Sequence, residues 1–272
     1  MNYLRSRSLI LGGLLCLLLP AATLAQGEPN LSKEEIKQFL LTADVVRSRH
    51  PSKGITETWR LTLSDGKLTH DASFQSLDAH GFSPQVPALK APMNFVDSYK
   101  YNIAAYELAE LLGVGDMIPV TVERKWQGKF GSLSWWVPAK MDEADRVKQK
   151  IEPPDAEAWG HQLSRILVFN QLVFDDDFNR TNLLIGEDWK LWRIDFSRAF
   201  RPPRELQNPA QLTRCDRRLL EHLKKLDAKE FEQRTKTYLD KWERQNVMAR
   251  RDKLVAHFQK LIAAEGESKI LY

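Results

Sequence analysis

Phe169 to Phe200 reads FNQLVFDDDFNRTNLLIGEDWKLWRIDFSRAF, and the rest of the chain is interpreted outward from it. Asp177 stands five residues before Asn182, Asn182 thirteen before Asp195, and Asp195 opens an Asp-Phe-Ser triplet. A five-residue interval is a tight loop, so the side chains at its two ends can turn toward different groups. Leu183 to Ile185 read as a short apolar strand, Gly186-Glu187-Asp188 as a turn and Trp189 to Ile194 as the returning strand. That hairpin carries Asp195 back beside Asn182, so two oxygen ligands converge on one hard cation. An ordinary hairpin with acidic ends accounts for any one of these features but not for both intervals, the apolar strands and the Asp-Phe pair together.

The intervals resemble the catalytic loop and metal-binding triplet of the protein-kinase superfold. Loop and hairpin are similar to those of phosphoinositide kinases, whose loop runs Asp-Arg-His-x-x-Asn before an Ile-Asp-Phe-Gly triplet. FNQLVFDDD, with Phe169, Leu172 and Asp177, and the following IDFSRAF resemble more closely the secretory-pathway casein kinases of the Golgi and their bacterial relatives. Ile103-Ala104-Ala105-Tyr106 through Leu112, then Ile118-Pro119-Val120-Thr121-Val122, are similar to that family's helix and following strand. The resemblance extends from about Val45 onward, with its specific part in 169–200. It implies an α+β, bilobal kinase-like fold with a small β-rich N-lobe, 44–140, and a larger helical C-lobe, 141–272. It also implies ATP and Mg²⁺ or Mn²⁺ as cofactors. On this resemblance Asp177 is the catalytic carboxylate that orients an acceptor hydroxyl, and Asn182 and Asp195 are the metal ligands. Arg180, inside the loop, is placed to neutralise phosphate charge. Asp175 and Asp176 are read as helix-end caps or solvated residues, with a second metal as the alternative. Ser197 replaces the triplet's Gly and restricts the backbone; Arg198 is expected to pair with a carboxylate.

The small lobe departs from the kinase pattern. Asp44 to Arg49, Thr56 to Leu63 and Lys67 to Leu77 read as three strands, the last two joined at Asp65-Gly66. The third strand should carry a Lys for the α/β-phosphates, paired with a Glu on the next helix. The residue in the Lys position is Gln75, and the one directly before Ile103, where that Glu belongs, is Asn102. Lys67 lies about 25 Å of extended chain away at ~3.3 Å per residue. Glu107 is about 140° round the helix from Asn102 at ~100° per residue, and it and Glu110 are read as solvated. The pattern is a paired loss: Gln opposite Asn can hydrogen-bond, whereas either charge alone would be poorly compensated. A two-residue register slip would instead bring Lys67 or Lys90 into play. The bend Pro51-Ser52-Lys53-Gly54 sits where a phosphate-covering loop belongs, making Lys53 and Gly54 candidate nucleotide contacts; with a single Gly it also reads as a plain hairpin turn.

Elsewhere the reading is conventional. Residues 1–25 have the form of a secretory signal peptide: Arg5 and Arg7, the apolar run Leu9 to Leu19, then Pro20 and a small-residue end. An uncleaved anchor is the alternative. Its removal would take the formal net charge from +4 to +2, leave Cys215 without a partner for a disulfide, and leave no stable membrane span. No basic stripe remains that would imply nucleic acid. Ser32 and Glu35 form a capping-box pattern for a helix within 26–43. A helix is expected over about Phe95 to Leu112, and a hairpin turns at Gln127-Gly128-Lys129. Pro138 to Met141 are the inter-lobe hinge, and Trp135 and Trp136 are read chiefly as packing residues, one of them able to approach an adenine. Val147 to Pro154 read as an exposed connector, Asp155 caps the large lobe's central helix, and helices are expected over Asp216–Leu226, Ala228–Leu239 and Asp240–Leu261.

Two functions follow. One is a secreted or periplasmic phosphotransferase acting on a hydroxyl of a protein or small-molecule acceptor. The other is a pseudokinase that serves a protein partner as scaffold or allosteric activator.

Overall fold

In the computed structural model the described residues are 31–50, 58–80 and 96–272. The signal-like segment, the Lys53-Gly54 bend, Phe95 and Lys90 lie outside them. From Ser32 onward the chain forms one unit of small and large lobes. Helix α1, Lys33–Thr42, begins with the capping box read from Ser32 and Glu35, both halves of which form. Arg124 then closes its far end by donating to the carbonyls of Leu40 and Ala43, both at 2.7 Å.

Strands β1 (Asp44–Arg49), β2 (Thr58–Ser64) and β3 (Thr69–Gln75) follow, then the short pair β4 (Asp78–His80) and β5 (Val96–Ser98). Helix α2, Tyr99–Leu111, starts where the Ser98 hydroxyl caps the Lys100 amide. Strands β6 (Thr121–Trp126) and β7 (Lys129–Trp135) complete an antiparallel sheet in the order β1-β2-β3-β7-β6. Alternation decides which face is buried: Leu61 and Leu63 of β2, Ala72 and Phe74 of β3 and Leu133 of β7 are buried, while the residues between them face the other way.

The register bears on the Lys67 alternative of the third-strand reading; Lys90 lies outside the described residues. Gln75 pairs with Thr58 on one side and Ser132 on the other, and Lys67 is exposed in the β2–β3 turn. Glu110 and Glu107 correct the expectation of solvation. Glu110 is paired with Lys33 of α1 at 2.5 Å and Glu107 with Arg234 at 3.3 Å, because helices pack on both sides of α2's outer turns.

The chain enters the large lobe through β8 (Met141–Asp142), where the hinge is tied down by the Lys140 amide donating to Ile185. The expected connector is partly helical: α3, Glu143–Gln149, is capped by Asp142 and ends at Lys150 in the left-handed region, φ +56°. Helix α4, Ala156–Val173, starts at Asp155 as read. It is followed by β9 (Leu183–Ile185) and β10 (Leu191–Arg193), the hairpin of the decisive stretch. Met117, Trp159, Ile166, Leu183, Ile185 and Leu191 form one core beneath that hairpin. Helices α5 (Arg217–Lys225), α6 (Ala228–Thr235) and α7 (Lys241–Glu265) close the lobe. Buried Arg250 of α7 donates to the carbonyls of Leu172, Arg201 and Pro203, fixing the end of α4 against the segment after the triplet. Cys215 is buried with a free thiol, and no described helix is long and apolar enough to cross a membrane.

Candidate active site

The catalytic-loop sequence folds through its Asx residues. Asp175 accepts the Asp177 amide at 2.9 Å, Asn179 accepts the Thr181 amide at 3.0 Å and donates to the Asp177 carbonyl at 3.0 Å. A 3₁₀ turn, Arg180–Asn182, leads into β9. Short polar side chains that bond their own backbone replace a regular helix here. The main chain of Asp177 is thereby fixed while its carboxylate stays about half exposed.

The hairpin returns as the intervals require. The Ile194 amide donates to the Asn182 carbonyl at 3.0 Å, which sets the Asp195 backbone next to the Asn182 backbone. Asp195 adopts φ +60°, a left-handed conformation that Asp tolerates better than most residues. Its Oδ1 accepts the Ser197 amide at 3.3 Å.

Asn182 and Asp195 both line a cavity of about 810 Å³ between the lobes, a size within the range of ligand pockets. The donor set fits a hard divalent cation: one amide oxygen and one carboxylate. Among the described residues there is no cluster of three His, Cys, Asp or Glu side chains able to hold a metal alone. Mg²⁺ held here would therefore complete its shell with phosphate oxygens and water, its usual mode in nucleotide sites.

Gln75 and Asn102 meet as read. Asn102 Nδ2 donates to Gln75 Oε1 at 2.6 Å, and Asn102 Oδ1 accepts the Phe196 amide at 2.7 Å. A neutral amide bridge thus ties β3, α2 and the triplet together. Asn102→Leu is expected to destabilise the chain by about 2 kcal/mol, since it strands the buried Phe196 amide and the half-buried Gln75 side chain. Urea denaturation checks this, and a Gln75→Leu/Asn102→Leu double variant should cost less than the two singles added.

Arg180 is exposed, and neither it nor Asp177 is among the residues that line the cavity. Besides Arg193, the arginines on the cavity wall are Arg49 and Arg60 of the sheet, which the sequence reading missed. They are cross-strand neighbours and begin a row of facing residues, Arg49, Arg60, Ser73, Ser134 and Thr121, one from each strand of the sheet. The signal was present in the polar alternates of TWRLTLS and THDASFQ. Arg60 is held by Asp71, with Nε donating at 2.6 Å, and its guanidinium lies 4.1 Å from the Trp136 ring centroid. Both tryptophans border the cavity; Trp135 is buried and stacks on His70 at 3.5 Å.

Asp175 is neither a helix cap nor solvated. It is buried against Arg193, whose other terminal nitrogen donates to the Asp195 carbonyl at 3.0 Å. Burial pushes the Asp175 carboxyl up to about 6 despite Arg193, and burial lowers the Arg193 guanidinium as well. Asp176 pairs with Arg201 at 2.9 Å. Arg198 meets its expected carboxylate twice over, at Asp97 (3.4 Å) and Asp177 (3.3 Å).

No family model matches the sequence, and none of the curated proteins matches it. Solved structures do. Fam20 of hydra, determined with sugar, superposes with a TM-score of 0.65 at 13% identity over 88% of this chain and 91% of that one. The Golgi casein kinase gives 0.62 at 12% identity, covering 88% and 77%, and its Mn/ADP-bound form gives 0.60 at 11%, covering 88% and 78%. The Helicobacter pylori kinase CtkA gives 0.51 at 8% identity, covering 82% and 98%. With the sheet order, the two lobes and the hairpin already described, these likenesses establish that the chain has a Fam20-like, kinase-like fold.

Proposed function

We propose that the chain is a phosphotransferase that moves the γ-phosphate of ATP to a hydroxyl of a protein or small-molecule acceptor. The observation that carries this reading is the adjacency of Asn182 and Asp195 on the cavity wall, fixed by the Ile194–Asn182 backbone bond, at the end of a loop that presents Asp177. Asn182 and Asp195 hold Mg²⁺ or Mn²⁺, which neutralises phosphate charge when bound. Asp177 accepts the hydroxyl hydrogen and aims the oxygen, so the chain contributes mainly by positioning. The half-exposed Trp136, with Arg60 stacked on it, offers a flat surface for the base. Lys53 and Gly54 belong to this reading as phosphate contacts from the bend after β1. The signal-like segment supports action in a secretory or periplasmic compartment.

The second reading, a pseudokinase serving a protein partner, is favoured by one observation. The hydrogen-bonded Gln75–Asn102 pair puts a neutral amide where a kinase usually carries the Lys that grips the α/β-phosphates. Transfer of label from γ-labelled ATP to a panel of hydroxyl acceptors, with Mg²⁺ and with Mn²⁺, separates the two. Metal-dependent labelling is the outcome of the first; no labelling with either metal belongs to the second.

A further inference from the structure

A Lys–Glu ion pair ordinarily fixes a kinase's third strand to its small-lobe helix, and here the neutral Gln75–Asn102 pair stands in that place and carries no charge. We propose that Asp97, Arg198 and Asp177 form a charged link of another kind: an ion chain from the small lobe that positions the acceptor-orienting carboxylate. Asp97 and Arg198 are positioning residues in this account, which rests on the reading of Asp177 given above.

Asp97 lies in β5, one residue before the cap of α2, and is 2% exposed. Its Oδ2 is 3.4 Å from Arg198 Nε, and Arg198 Nη1 is 3.3 Å from Asp177 Oδ2. One guanidinium therefore bridges a buried carboxylate and the half-exposed one. The segment is held on both sides. The Ser98 amide donates to the Ser197 carbonyl at 2.8 Å, while the Ser98 hydroxyl and Lys100 both bind Asp78, each at 2.7 Å.

A carboxylate as buried as Asp97 requires compensation. Burial and the nearby Asp195 carboxylate raise its proton affinity, and the Arg198 guanidinium and the nearby Ser197 hydroxyl act in the opposite direction.

The test uses Asp97→Asn, Arg198→Ala, Arg198→Lys and the Asp97→Asn/Arg198→Ala double variant, with kcat, the KM for ATP and amide hydrogen exchange. Arg198→Ala should lower kcat about a hundredfold and Asp97→Asn about tenfold, with the KM for ATP within about twofold, as expected for lost positioning. Arg198→Lys should recover at least about tenfold of the loss, and the double variant should be no worse than Arg198→Ala, since both act through one guanidinium. Backbone amides of 176–182 should exchange about tenfold faster in Asp97→Asn and in Arg198→Ala, with α7 unchanged as the folding control. A raised kcat in Arg198→Ala would mean that the arginine masks Asp177, and additive losses would mean that the residues act separately; either overturns the proposal. If the unmodified chain transfers no phosphate, the reading of Asp177 fails on its own. The exchange measurement still decides the coupling: unchanged exchange at 176–182 in Asp97→Asn refutes it.

Discussion

Asp177→Asn is expected to lower phosphate transfer about a thousandfold, the middle of the range for removing a positioned proton acceptor, while leaving metal-dependent nucleotide binding within about twofold. The substitution keeps the side chain's size and removes its charge. The turns of the loop should still form, because the Asp177 main chain is held by Asp175, Asn179 and Asn182, although loss of the Arg198 ion pair should speed amide exchange at 176–182 as in Arg198→Ala. Steady-state turnover beside equilibrium nucleotide binding checks both halves. Equal losses in the two would mean that Asp177 contributes to nucleotide binding and not selectively to transfer.

The second large effect concerns stability. Arg193→Met is expected to cost about 3–5 kcal/mol, because it leaves Asp175 as an uncompensated buried charge. Arg193 is itself enclosed, 2% exposed, with its guanidinium 4.6 Å from the Phe196 ring centroid and 5.2 Å from that of Phe178. Joint replacement, Arg193→Met/Asp175→Leu, should recover most of the loss, since well-packed apolar side chains often equal a buried ion pair. The pH dependence has a defined sign. Asp175 titrates at about 6 in the folded chain, against about 3.9 for an ordinary Asp. Protonation of this group therefore favours the folded state, and its contribution is full below about pH 4 and lost as the pH rises through about 6. The stability of the unmodified chain relative to the double variant should accordingly rise as the pH falls from 7 to 4. Urea denaturation across that range reads both results, and a double variant as unstable as the two singles added would contradict the account.

Much of this architecture was legible because its signals are local. The Asp177, Asn182 and Asp195 intervals are set by one tight loop and one hairpin, so chain spacing alone places the residues. The capping residues Ser32 and Asp155 marked helix starts for a similar reason: each side chain satisfies amides two or three residues away. The Gln75–Asn102 contact was readable because a strand register and a helix position could both be counted from motifs. What escaped depends on chain crossings that spacing does not encode. Asp175 looks like a helix-end residue until β10 lays Arg193 over it, and Glu110 looks solvated until α1 brings Lys33 to it. Asp97 carried no motif; the Ser98–Ser197 backbone bond and the Asp97–Arg198 pair show that β5 runs beside the triplet. The arginines of the cavity wall were hidden because a transverse row takes one residue from each of five strands.

The measurement that bears most directly on the central claim is calorimetry of ATP binding to the domain from Ser32 onward, with Mg²⁺ or Mn²⁺ and with chelator, beside Asp195→Ala. The account predicts saturable binding that depends on the metal and is lost in Asp195→Ala while the variant remains folded. Binding that is indifferent to metal and to Asp195, or no binding by the unmodified domain, would contradict it.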